Sequence, residues 1–391
     1  MLRDDITGTT VAEGRGRVVL QVLPALETGG VERGTLDIAG ALAARGDTAL
    51  VASAGGAMAH RLARLGARHV ELPLHRKGLL SLWRNARRLE ALIRAEGVDL
   101  VHARSRAPAW SALLAARRTG VPFVTTFHGT YNFRMPPKRA YNAVMTKGDR
   151  VIAISEFIAR HILANYPLDT DRLRVVPRGV DLGQFDPGAV SRDRMVALAT
   201  KWRLPDGVPV VMLPGRLTRW KGQAVLIEAL ARLRGREFCC VLVGSDQGRT
   251  GYRRELEKLV VGRKLADRVF ISDDCRDMPA AYMLADVVVS ASTDPEAFGR
   301  IASEAQAMGR PLVASAHGGV PEQVLEGTTT ALVRPGDADD LARGLDWALS
   351  LDHAARAEVF AAGQAQARHF SKELMCQRTL AVYDELLDRD A

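Results

Sequence analysis

At 391 residues the chain is too long for one ordinary hydrophobic core and suits two domains of similar size. Apolar residues at 47% and charged residues at 25% are normal for a folded globular protein and exclude a disordered or fibrous chain. The net charge of +9 calls for an anionic partner, but aromatics at 5% are sparse for the stacking platforms of nucleic-acid readers; lipid head groups or phosphorylated substrates are expected, and nucleic acid is not.

The four cysteines (Cys239, Cys240, Cys275, Cys376) have neither metal-ligand nor redox spacing and fit a reducing, cytoplasmic compartment. Residues 1–16 carry Asp4 and Asp5 and no apolar core, so they read as a flexible extension rather than a leader. No apolar run approaches the roughly 18 residues that span a bilayer. A peripheral place on the inner membrane face is the most that membrane contact is expected to mean.

In chain order, Arg17 to Pro24 has a buried-strand pattern, and helical periodicity begins after Gly30. Strands are then expected at 47–53, 68–72, 98–102, 121–126, 149–154 and 173–177, with helices at 31–45, 56–66, 77–96, 106–119, 137–147 and 155–164. Alternating elements with continuously apolar strands predict a parallel sheet covered on both faces. Pro177 to Pro187, with two prolines and two glycines, breaks the rhythm and is expected to be the hinge. A second unit follows, with strands at 208–213, 238–243, 268–271, 286–290, 311–314 and 330–333. The amphipathic stretch from Ser371 to Leu387 is expected to cross back to the first domain.

The excess charge is uneven. Between Arg76 and Arg118 there are ten Lys or Arg against three acids. Gly78 to Glu96 reads as an amphipathic helix with Leu79, Leu82, Trp83, Ala86, Leu89 and Ile93 on one face, either covering the sheet or lying on a lipid surface.

Ligands of doubly wound sheets bind beyond the carboxyl ends of the strands, so with two facing sheets the site is expected in the cleft. Asp294 to Glu304 places Glu296 in a loop after a strand, Gly299 at a helix start and Glu304 on the helix flank. Amides without helical partners attract phosphate, and acids on both sides suit hydroxyls flanking a diphosphate. An acid-bearing helix start that complements the helix dipole has the same pattern. Gly215-Arg216 to Lys221-Gly222 sets two cations on a strand-end loop, fit for a diphosphate or for an ordinary charged turn. Gly29 and Gly30 open the first helix and let backbone approach a ligand, while the Gly-x-Gly-x-x-Gly fingerprint is absent there. His128 ends the fifth strand of the first domain, where it can meet a sugar hydroxyl or fill a structural role. Asp169/Asp171 and Asp337/Asp339 do not follow apolar strands as a metal-diphosphate site needs, and no zinc spacing occurs.

Together these pieces resemble the family 4 glycosyltransferases, retaining enzymes of GT-B architecture, from about Val18 to Leu387. The resemblance rests on Gly29-Gly30, His128-Gly129, Gly215-Arg216 with Lys221-Gly222, Glu296 with Glu304, Gly309 to Ser315, and Gly318-Gly319 with Pro321-Glu322. It implies two Rossmann-like doubly wound domains facing across a cleft. The acceptor-binding domain would span 17–180, the nucleotide-sugar-binding domain 187–370, and the last helix, in 371–391, would pack back on the first domain. It implies transfer of a hexose from a UDP- or GDP-linked sugar to a glycan or glycolipid, as in bacterial lipopolysaccharide or envelope polysaccharide synthesis, with no metal or other cofactor. Carried over residue by residue, Arg216 and Lys221 bind the diphosphate and Glu304 the ribose. Glu296 meets the transferred sugar with the amides of Phe298 and Gly299, and His128 stands by the reacting carbon. Gly29 and Gly30 approach the diphosphate, and Asp273 to Arg276 contacts the base. Ser272 stands where the family commonly has glycine. The rival readings are a nucleotide-sugar 2-epimerase of the same architecture and an inactive lipid-binding scaffold.

Overall fold

The computed structural model describes residues 16–131, 136–233, 235–248, 250–273 and 275–388, so all of the expected extension but Gly16 lies outside them. Strands and helices alternate: β1 (Val18–Val22), α1 (Gly30–Ala44), β2 (Thr48–Ser53), α2 (Arg61–Arg64), β3 (Arg68–Glu71), α3 (Leu79–Glu96), β4 (Leu100–Ala103), α4 (Arg106–Thr119), β5 (Phe123–Phe127), α5 (Pro136–Asn142), β6 (Arg150–Ala153), α6 (Glu156–Asn165) and β7 (Leu173–Val175). The second series is α7 (Arg192–Trp202), β8 (Val210–Pro214), α8 (Gln223–Leu230), β9 (Cys239–Val243), α9 (Thr250–Gly262), β10 (Val269–Ser272), α10 (Met278–Leu284), β11 (Val287–Ser290), α11 (Arg300–Ala307), β12 (Leu312–Ser315), β13 (Thr330–Val333), α12 (Ala338–Ser350), α13 (His353–Arg368) and α14 (Lys372–Leu387).

The strands form two sheets, ordered β3-β2-β1-β4-β5-β6-β7 and β10-β9-β8-β11-β12-β13. The described pairings are parallel, as continuous apolar strands such as the fully buried Val18–Val22 require. In both sheets the chain leaves β1 or β8 toward one edge and later returns to the other side. That reversal is the doubly wound topology the alternation predicts. By compactness the chain divides into a unit of the described residues up to Thr125 with 147–149 and the end from Tyr383, and a unit of 126–146 with 150–382.

In the second unit, strand alternation feeds two cores. Val211, Leu213 and Leu242 face α8, α9 and α12, while Met212, Val241 and Val288 face α7, α10 and α11. In the first unit, α3 lies on α4 and buries Asn85, Ala86, Leu89 and Ile93. The last turn of α14 belongs to this unit: Tyr383 and His102 are both fully buried, with the hydroxyl 2.6 Å from Nδ1. Asp384 pairs with Arg17 and Arg45, and Asp388 with Arg17.

Three expectations need correction. The helix expected at 56–66 is only the four-residue α2, because Gly55, Gly56 and Gly66 take positive φ on either side of it. The stretch 137–147 is the short α5 followed by a 3-10 turn, Ala143–Thr146. Leu79 and Trp83 are not in the buried face of α3. They are 86% and 44% exposed, because burial starts only at Asn85.

Candidate functional site

The turn from Glu296 to Gly299 joins β11 to α11, and its carbonyls are tied from behind. Gly319 N–H donates to the Glu296 carbonyl (2.8 Å), Ser155 Oγ to that of Ala297 (2.6 Å), and Gln323 Nε2 to that of Phe298. Gln323 is fully buried and also donates to the Gly319 carbonyl (2.9 Å), so it staples the turn to the Gly318-Gly319 corner. A Cβ at Gly318 would stand 2.3 Å from the Glu296 carbonyl oxygen, at a φ of 69° that disfavours side chains. With the carbonyls engaged, the Gly299 one by the Ala302 N–H (3.0 Å), the amides of Phe298, Gly299, Arg300 and Ile301 have no hydrogen-bond acceptor among the described residues. This is a preformed anion site at a helix start.

Lys221 meets this turn directly. Its Nζ lies 2.6 Å from Glu296 Oε1, which also accepts from Ser292 Oγ at 2.6 Å, and both ionic side chains are only 12% exposed. Lys221 leaves a 3-10 turn, Arg219–Lys221, that is fixed because Thr293 N–H donates to the Trp220 carbonyl (2.7 Å). Gly222 follows at φ 75°, where a Cβ would be 1.8 Å from the Ala291 oxygen. The expected cation and the expected acid are therefore partners in this state, a pairing the sequence analysis did not foresee. Arg216 follows β8 and is exposed, with no carboxylate partner among the described residues. Arg219 pairs with Glu255 (2.7 Å) on the surface.

Glu304 stands on α11, its carboxylate accepting from Tyr282 Oη (2.8 Å). Burial and the Glu304 charge push Tyr282 far above its ordinary value, so it remains a donor. Asp273 pairs with Arg253, and Arg276 is exposed. His128 follows β5, its backbone N–H donating to Tyr131 Oη (3.2 Å), and Tyr131 stacks on Phe127. Gly29 caps α1 and Gly30 begins it, in the first unit.

Several residues outside the sequence-based set build the site. Glu322 accepts from the amides of Glu156 (2.8 Å) and Phe157 at the start of α6, with Arg160 at 3.3 Å. Burial pushes its carboxyl up, against those amides and Arg160. Ser155 holds both the α6 start, through the Ile158 amide, and the Ala297 carbonyl. His317 Nε2 stands 2.8 Å from the Ser292 carbonyl oxygen. The Gly318 to Glu322 motif signalled this corner, but nothing in the sequence marked Ser155, Ser292 or Gln323. The acid pairs set aside for metal are helix caps: Asp169 accepts from Asp171 N–H, and Asp337 from those of Asp339 and Asp340.

Two family models match in tandem, Glycosyltransferase Family 4 over residues 28–184 and Glycosyl transferases group 1 over 197–364. A D-inositol 3-phosphate glycosyltransferase of Xylanimonas cellulosilytica is 34% identical over 319 residues, covering 76% of this chain and 74% of its own. The crystal structure of a glycosyltransferase from Rickettsia africae superposes with a TM-score of 0.90 at 36% identity, covering 96% of this chain and 99% of that one. Anabaena Alr3699/HepE, solved with UDP and glucose, shares the fold at a TM-score of 0.81 and 24% identity, over 94% of this chain and all (100%) of that one. The tied-back turn with its facing lysine thus sits in a chain that belongs to the family 4 glycosyltransferases, a transferase enzyme built from two Rossmann-like domains of GT-B type.

Proposed function

We propose that the enzyme transfers a hexose from a nucleoside-diphosphate sugar to a hydroxyl acceptor, retaining anomeric configuration and using no metal. The observation that carries this reading is the Glu296–Gly299 turn, with every carbonyl secured and its amides open beside Lys221. As the bond from the anomeric carbon to the phosphate oxygen lengthens, negative charge gathers on the leaving diphosphate. Arg216, Lys221 and the Phe298 and Gly299 amides stabilise it most when it is greatest. The diphosphate competes with Glu296 for Lys221, which turns Glu296 toward hydroxyls of the sugar. Glu304 serves the ribose and His128 the reacting sugar. The acceptor attacks the face the diphosphate leaves, and its proton passes to the departing phosphate oxygen. Initial rates over a panel of UDP- and GDP-sugars test this. Arg216→Ala is expected to lower kcat about 10²–10³-fold with fold intact, and chelation of divalent ions to leave the rate unchanged. A rate that collapses on chelation rejects the metal-free reading. Donor converted to an epimer with no acceptor present rejects transfer.

For the acceptor, the proposal is an envelope glycan or glycolipid at the inner, cytoplasmic membrane face, of the lipopolysaccharide type. Supporting it, Leu79 and Leu80 are 86% and 73% exposed at the start of α3, beside Trp83 and the exposed Arg76, Lys77, Arg84 and Arg87. The Arg87 guanidinium lies 3.9 Å over the Trp83 ring. Apolar side chains ringed by arginine suit an anionic lipid surface. No described helix is long and apolar enough to cross a membrane. A second reading, a soluble phosphorylated cyclitol, is favoured by the similarity to D-inositol 3-phosphate glycosyltransferases. Parallel assays with inositol 3-phosphate and with lipid-linked acceptors separate the two.

A further inference from the structure

A cavity of about 760 Å³ lies at the free edge of the second sheet, between the end of α7 and the face of α9. Its floor is β10. Cys240 N–H donates to the Arg268 carbonyl and Gly244 N–H to that of Ser272, so alternation turns Phe270 and Ser272 toward β9. The Val269 carbonyl and the Ile271 N–H and carbonyl then point out of the edge into the cavity, while Val269 N–H is used by Leu265. Val260 and Val261 form one wall, and Trp202 lines the other side. Trp202 is 7% exposed, and its indole N–H has no partner among the described residues. That N–H is left to donate to a molecule in the cavity. Lys201 and Arg203 also line the cavity and have no carboxylate partner among the described residues, whereas Arg253 is held by Glu257 (3.0 Å) and Asp273. Arg203 is the left-handed C-cap that ends α7 (φ 54°).

An outward carbonyl followed two residues later by an outward N–H is the complement of one kind of ring edge: an amino group beside an unprotonated ring nitrogen. A flat ring in the plane of the sheet fits between the α9 valines and Trp202, with the two loose cations left for an anionic substituent. We propose that this cavity is a second nucleotide site, selective for bases that carry that edge, adenine above all and cytosine by the same chemistry. The Val269 carbonyl accepts from the amino group and the Ile271 N–H donates to the ring nitrogen. The Trp202 N–H donates to a further acceptor on the ligand, and Lys201 and Arg203 take the phosphate. The volume suits a small ligand, and an edge of four residues flanked by two helices offers little to an added strand. The cavity is lined at one end by Asp273, the first residue of the expected base-contacting loop, but touches none of Arg216, Lys221, Glu296 or Glu304, so Arg216→Ala separates the failure of this assignment from that of the donor reading.

Calorimetric titration with AMP, CMP, GMP and UMP tests it on the full chain. AMP is expected to bind in the submillimolar range, and GMP, whose edge is reversed, at least about tenfold more weakly. Trp202→Phe, which removes only the N–H function, should weaken AMP about fivefold to tenfold, and so should Val261→Glu at a position 66% exposed and safe for folding. Arg216→Ala should leave AMP binding unchanged. No AMP binding at millimolar concentration, or equal affinity for GMP, overturns the proposal. So does AMP binding that is lost in Arg216→Ala but indifferent to Trp202→Phe, which would put the nucleotide in the donor site. A concentration-dependent dimer abolished by Val261→Glu would give the edge to a second chain and overturn it equally.

Discussion

Lys221 and Glu296 show how one pair of side chains serves two states. Buried to the same degree and 2.6 Å apart, they neutralise each other in this structure, and in the proposed reaction a diphosphate takes Lys221 from Glu296. Breaking such a pair on one side leaves an uncompensated charge in a nearly dry place. Glu296→Gln is therefore expected to free Lys221, tightening binding of the nucleoside diphosphate alone while lowering kcat. Calorimetry with UDP or GDP beside steady-state rates checks both halves. At His102 the chemistry is structural. Burial, and then the neighbouring Arg104 charge, holds its imidazole well below its ordinary value of 6.5, so the folded state keeps it neutral. The unfolded chain takes up that proton as the pH falls through about 6.5. The stability from His102 is thus present above that pH and is lost below it, by up to about 1.4 kcal/mol per pH unit. Denaturant unfolding at pH about 5 and about 7.5 should show this slope in the native chain and a shallower one in His102→Gln.

Among the elements, the β11–α11 turn and the 3-10 turn after β8 are rigid because glycine lets backbone touch backbone. Gly222→Ala would press a methyl onto the Ala291 oxygen at 1.8 Å in a left-handed conformation. It is expected to cost at least ~2 kcal/mol and to reduce activity by displacing Lys221, read together by denaturant midpoint and rate. At the chain end, Tyr383→Phe removes the hydroxyl paired with His102 and should cost about 1–2 kcal/mol, measured the same way. The sequence made the turn legible as a loop with an acid, a glycine and a helix. It did not show that Ser155, Gln323 and Gly319 bind the turn's carbonyls, because those residues lie up to 142 positions away and only Gly319 belongs to a motif, one that does not name its partner. The failed expectation at 56–66 is of another kind: apolar spacing was helical, but the flanking glycines limited the helix to one turn.

Over the whole molecule, the basic stretch from Arg76 to Arg118 was visible as charge, but its partner surface was not. Periodicity placed Leu79 and Trp83 on one apolar face of α3, to cover the sheet or to lie on lipid, and the fold leaves them exposed beside arginines. If that surface meets lipid, Leu79→Ser with Leu80→Ser should weaken binding to anionic vesicles at least about tenfold, with rates on a soluble acceptor unchanged. Co-sedimentation with phosphatidylglycerol vesicles measures it, and equal binding by both proteins rejects the lipid surface. By itself the sequence determined the α/β class, the two doubly wound sheets, the loops that bear Arg216, Lys221 and Glu296 and the helix that bears Glu304, because strand period, glycine and charge act over a few neighbouring residues. Only the tertiary structure decided that Lys221 is matched to Glu296, that the turn's amides are left open, and that an edge strand lines a cavity under Trp202. Each of these depends on which distant side chain consumes a donor or an acceptor, and that is settled by packing, after the local pattern has done its part.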